Sequence, residues 1–179
     1  MMMSALAAGG MQLLTDGERQ ADENNPKGYY EYERVKQLPK GDIGWLKLAR
    51  GKAVKVISGL LEYLPDHYIY RIILMERDMD EILESQKRML GRKGIESRQP
   101  VSEDELRRSY QAHLGVVRAW LADQVNIKTL WVSYNQAMAN PYEVFHGIAD
   151  FLEGRVDPRA MTTVVDPRLY REKKGDQAE

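Results

Sequence analysis

Arg77 and Ser85 are the two residues of this 179-residue sequence whose types and spacing best suit a chemical task. Arg77 follows an apolar run, Tyr68 to Met75, and stands at the start of a stretch with helical periodicity. Ser85 lies seven residues after Asp78, which on a helix returns it to within about 20° of the same face. A guanidinium, a hydroxyl and the free N–H groups of a helix start together make a phosphate site. A strand-end arginine also serves as the partner of a nearby carboxylate, and Asp78 and Asp80 are both at hand.

Composition removes several other chemistries. With no cysteine in the sequence, disulfide frameworks, thiolate zinc sites and cysteine nucleophiles are excluded. His67, His113 and His146 are too scattered to suggest a histidine-rich metal site. A formal charge of −1 gives no long-range pull toward nucleic acid or a membrane surface. No apolar run approaches the ~18 residues of a membrane span. Met1 to Ala8 is apolar but has no basic leader, and Gly9-Gly10 cut it short of a secretory signal. It reads as a buried helix, and the expected location is cytoplasmic.

The elements that must position Arg77 and Ser85 follow from periodicity. Gly10 to Lys40, rich in Gly, Asp, Asn and Pro, reads as a long loop. Its Gly28 to Tyr32 cluster either closes over a ligand or pins the loop to the core. Ala53 to Ile57 predicts a short strand, followed by a helical turn that Pro65 ends. Tyr68 to Met75 predicts a strand buried on both faces. Asp78 caps the helix that follows, with Glu81 three residues on, and Gly91 and Gly94 close it. After Pro100, Ser102-x-x-Glu105 is a capping box that opens a helix over 103–123, with Leu106, Tyr110, Leu114, Val117 and Leu121 as its apolar stripe. Thr129 to Tyr134 predicts another strand, and Asn140-Pro141 starts a last helix that ends near Gly154. Strands separated by helices imply parallel strands joined by right-handed crossovers, with helices on both faces of the sheet. Ligands in such folds sit at the carboxyl ends of the strands. One domain over 1–170 and a charged tail over 171–179 are expected.

The stretch Arg77-Asp78-x-Asp80-x-x-x-x-Ser85 after an apolar strand resembles the 3′-phosphate motif of sulfotransferases. Asn25-Pro26-x-Gly28-Tyr29-Tyr30-Glu31 resembles a loop of their bacterial branch, and Lys52 to Leu61 the strand before the acceptor site. Leu130 to Pro141, followed by Ile148 to Leu152, resembles the family's strand–Tyr–helix unit, with Asn135-Gln136 where the family often writes Glu-Asp. The resemblance runs from residue 1 to about 170. It implies a three-layer α/β/α sandwich of the P-loop NTPase-like kind. It also implies transfer of a sulfuryl group from 3′-phosphoadenosine 5′-phosphosulfate (PAPS) to a hydroxyl or amine acceptor, without a metal.

On that resemblance Arg77 and Ser85 hold the 3′-phosphate, and Tyr134 lies near the adenosine. Glu18 is the nearest match to the family's glutamate base, and Lys55 would stabilise developing charge. Both also read as ordinary surface residues, a solvated loop carboxylate and an exposed or salt-bridged lysine. The family opens with a strand and a loop like Pro-Arg-Ser-Gly-Thr-Ser, and Met1 to Ala8 resembles the helix after that loop. The expectation is therefore a domain without its first strand and phosphosulfate loop, inactive by itself, with an open sheet edge that favours self-association. The alternative is a truncated, non-catalytic relative that acts as a binding module.

Overall fold

The computed structural model describes residues 1–19, 21–22, 25, 28–92 and 102–166, with the side chains of 86–92 outside the description. The chain is a mixed α/β domain built on a small parallel sheet. Helix α1 (Met2–Ala8) buries Ala5 and Leu6, as the apolar N-terminal run predicts. Glu33–Lys40 forms 3₁₀ turns that bury Val35 and Leu38, followed by the short helix α2 (Leu46–Ala49). The long loop expected up to Lys40 therefore ends earlier, because Val35 and Leu38 join Trp45 and Leu46 in a core cluster of their own.

Strand β1 (Tyr70–Glu76) leads into α3 (Met79–Arg92), and α4 (Glu103–Ala122) leads into β2 (Ile127–Ser133). The two strands pair in parallel, Tyr70 opposite Ile127 through Glu76 opposite Ser133. Helices α5 (Tyr134–Ala139), α6 (Pro141–Phe151) and α7 (Pro158–Thr162) complete the described chain. The capping box at Ser102 and Glu105 is formed in both directions. Asp78 Oδ1 accepts from the Asp80 N–H at 2.9 Å, the cap expected of it. Gly91 does not close α3, which continues to Arg92. Gly94, Pro100 and the 171–179 tail lie outside the described residues.

Two corrections concern strands. Ala53 to Ile57 is not a strand among the described residues: it makes one bridge, from Ala53 to Leu13 in parallel. Its β-branched composition suits a ladder, but a strand exists only where a second strand supplies the hydrogen bonds. Tyr134 is not the end of a strand. Ser133 Oγ accepts from the Gln136 N–H at 3.2 Å and so starts α5 at once.

Side chains alternate across the sheet. Ile73, Met75, Leu130 and Val132 join a cluster with α1, α6 and α7, centred on Phe145, Ile148 and Met161. Tyr70, Ile72, Leu74, Ile127 and Trp131 join a second cluster with Val117 and Leu121 of α4. The period of two along each strand thus places apolar side chains on both faces. Among the described residues no helix is long and apolar enough to cross a membrane.

Candidate functional site at the carboxyl end of the sheet

The register decides what the strands deliver. Because Glu76 and Ser133 are partners in the last rung, the next residues, Arg77 and Tyr134, leave the sheet side by side. The Arg77 Cζ lies 4.8 Å from the centre of the Tyr134 ring. A guanidinium over a tyrosine face contributes about 0.5–2 kcal/mol, more as water is excluded. Burial pushes the Tyr134 phenol up in pKa, partly offset by the Arg77 charge. The ring therefore stays neutral near pH 7.

A third residue locks the pair. Glu81, one turn into α3 and only 3 % exposed, accepts from Arg77 Nε at 2.8 Å and from Asn135 Nδ2 at 2.8 Å. The carboxylate partner of Arg77 is thus Glu81, not the Asp78 or Asp80 read from the sequence. Asp80 pairs with Arg107 of α4 at 2.6 Å. One buried carboxylate joins the end of β1, the first turn of α3 and the start of α5. Its charge is matched by the guanidinium and its second oxygen by an amide, as a buried ion requires.

Ser85 is exposed and lies one turn beyond Glu81 on the same face of α3. The site residues read from the sequence therefore fall into two groups. Arg77 and Tyr134 meet directly, with Ser85 on the neighbouring helix surface. Lys55 and Glu18 belong to the loop side of the molecule. Lys55 Nζ donates to Glu31 Oε1 and to the Tyr29 carbonyl, each at 3.2 Å. Arg19 stacks on the Tyr29 ring at 3.3 Å and pairs with Glu31 at 3.0 Å, while the Tyr29 hydroxyl donates to Asp22 at 2.8 Å. The aromatic cluster thus pins the loop. Glu18 is exposed, and its N–H donates to Asp16 Oδ1 at 3.1 Å.

Sequence reasoning missed two features. Asn135 is far from Glu81 in the chain, and only the strand register brings them together. Ser58 Oγ and His113 Nε2 are 2.8 Å apart and half-buried, joining the 3₁₀ turn Ser58–Tyr63 to α4. No local pattern links those two positions; only Arg77 and Glu81, four apart, carried a legible spacing. Among the described residues no group of three acidic or histidine side chains is placed to hold a metal ion. No protein-family model, curated protein or solved structure matches the chain.

Proposed function

We propose that this chain is a sulfotransferase-type domain that holds the 3′-phosphate and adenosine of PAPS at the carboxyl end of β1 and β2. The observation that carries the reading is the Arg77–Tyr134 stack, delivered by adjacent parallel strands at the edge where α/β sheets bind ligands. Arg77 uses Nε for Glu81, and a guanidinium has five N–H donors, so the Nη edge suits a phosphate. The Ser85 hydroxyl offers a further donor one turn along α3. The Tyr134 ring, neutral and half-buried, offers a face for a purine. These residue types fit a 3′-phosphorylated adenosine.

The alternation of β1 and β2 side chains between two helical clusters supports reading the sheet as the middle layer of an α/β/α sandwich. In the complete reaction a sulfuryl group passes from the nucleotide to a hydroxyl or amine acceptor. Glu18 is the proposed base for the acceptor proton and Lys55 the proposed cation for developing charge. A second reading rests on the Arg77–Glu81 ion pair: a guanidinium already neutralised at 2.8 Å serves as a clamp between β1, α3 and α5.

Calorimetric titration with adenosine 3′,5′-bisphosphate, against adenosine 5′-monophosphate, separates the two. The proposed site binds the bisphosphate more tightly, and Arg77→Ala removes the difference. Equal binding of both nucleotides, or a preference that survives Arg77→Ala, leaves Arg77 as a structural clamp and sinks the phosphate site.

A further inference from the structure

A cleft of about 840 Å³ lies along the sheet edge opposite β2. One wall is β1 itself, with every residue from Ile69 to Met75 lining it; the other is the consecutive stretch from Ala49 to Val56. The first wall is a strand and the second, which makes a single bridge at Ala53, is not, but both leave backbone groups without a ladder partner. The Tyr70 N–H donates to the Asn126 carbonyl, toward β2. Since successive peptide groups of a strand point to opposite sides, Arg71, Ile73 and Met75 turn their N–H and C=O groups into the cleft. Across from them, Ala53 exchanges hydrogen bonds with Gln12 and Leu14, neither of which lines the cleft. By the same alternation Val54 and Val56 face the cleft. Among the described residues no backbone partner meets the N–H of Arg71, Ile73, Met75, Val54 or Val56.

The two walls also share their packing. Ala53 and Ile73 pack on the same core cluster, and Val56 and Ile72 on the other. The two segments thus contribute side chains to the same pair of core clusters, on either side of the cleft. The volume bounds the length of an occupant. A strand occupies about 4.8 Å along the sheet, about 10 Å through it and about 3.3 Å per residue, roughly 160 Å³ for each residue. About 840 Å³ therefore takes roughly five residues, shorter than the seven residues of the β1 wall from Ile69 to Met75. The rim adds a charge preference. Arg50, Lys52 and Arg155 line it without an ion pair among the described residues, and the lining carboxylate, Glu153, is taken by Arg71.

We infer that this cleft is a strand-accepting slot that takes one extended, apolar segment of another polypeptide, flanked by acidic residues. The segment pairs with β1 on one side and with Val54 and Val56 on the other, converting two open edges into one continuous sheet. A second copy of the chain does not supply it from its own β1, because that strand is itself a wall of the cleft and is held on its other edge by β2.

The test uses the full chain and a fluorescein-labelled peptide of two aspartates followed by Val-Ala-Val-Ile-Val-Ala. Saturable binding is expected, with slowed amide hydrogen exchange at Ile73, Met75, Val54 and Val56. The same peptide N-methylated at alternate residues keeps its side chains but loses ladder donors, and is expected to bind roughly a hundredfold more weakly. Replacing the two aspartates by lysines is expected to weaken binding and to reverse its salt dependence. Equal affinity of the N-methylated peptide, or protection confined to other segments, overturns the slot. Sedimentation of the chain alone supplies the remaining outcome. A dimer in which those four amides are already protected assigns the slot to a second copy and overturns the inference as stated.

Discussion

Arg77 and Tyr134 lie face to face at 4.8 Å because the residues just before them, Glu76 and Ser133, are partners in the last rung of the sheet. A one-residue slip of β2 would reverse the side to which every β2 side chain points and take Tyr134 away from the guanidinium. The candidate site is thus a property of strand register as much as of residue identity.

Arg77→Ala should weaken binding of adenosine 3′,5′-bisphosphate by about 2–5 kcal/mol, the scale for truncating one partner of a desolvated charge pair. Arg77→Lys should recover little, since an ammonium neither forks onto phosphate nor stacks on a ring as a guanidinium does. Tyr134→Phe should bind nearly as well as the parent chain, because the ring face is what the stack uses. Calorimetry on the three variants measures each effect, and full binding by Arg77→Lys would count against bidentate recognition.

Glu81→Ala should cost about 3–5 kcal/mol of folding stability, because it leaves the Arg77 guanidinium and the Asn135 amide without their buried acceptor. Replacing both members of the ion pair, Arg77→Met with Glu81→Leu, should recover a large part of that loss. Urea melts of the single and double variants test this through the non-additivity of their effects. Simple additivity would show that the pair is not coupled.

Asp16 anchors the start of the loop by accepting the Glu33 N–H at 2.5 Å and the Glu18 N–H at 3.1 Å. The Glu33 bond above all holds its carboxyl below the usual carboxylate range. A depressed folded value means that its contribution is present above the ordinary value of about 3.9 and is lost as pH falls through the folded value. The parent chain should therefore lose stability in acid more steeply than Asp16→Asn does. Thermal melts between roughly pH 2 and pH 6 compare the two. Parallel acid limbs would remove Asp16 from the account.

Gly9→Ala should destabilise the contact between α1 and α7 by about 1–3 kcal/mol, the usual cost of overpacking a filled core. A Cβ at Gly9 would meet Met161 Cγ at 2.8 Å and Val156 Cβ at 3.1 Å. Met161 is fully buried and has little room to yield. A chemical melt gives the magnitude; an unchanged midpoint would mean that the α1–α7 contact relaxes freely.

Part of this protein is settled by local sequence. The Ser102–Glu105 box, the Asp78 cap and the apolar periods fix where α3, α4 and β1 begin, because such signals act within a turn or along one strand. The position of Arg77 at a strand end was legible for the same reason. Tertiary structure decided the rest. It set Tyr134 against Arg77 and Asn135 against Glu81 through the parallel register, and Ser58 against His113 through packing of α4. It also left Ala53 to Ile57 without the ladder its composition suits. A strand's hydrogen bonds come from a segment distant in the chain, so residue types announce the capacity to pair, while the fold alone determines whether a partner lies alongside.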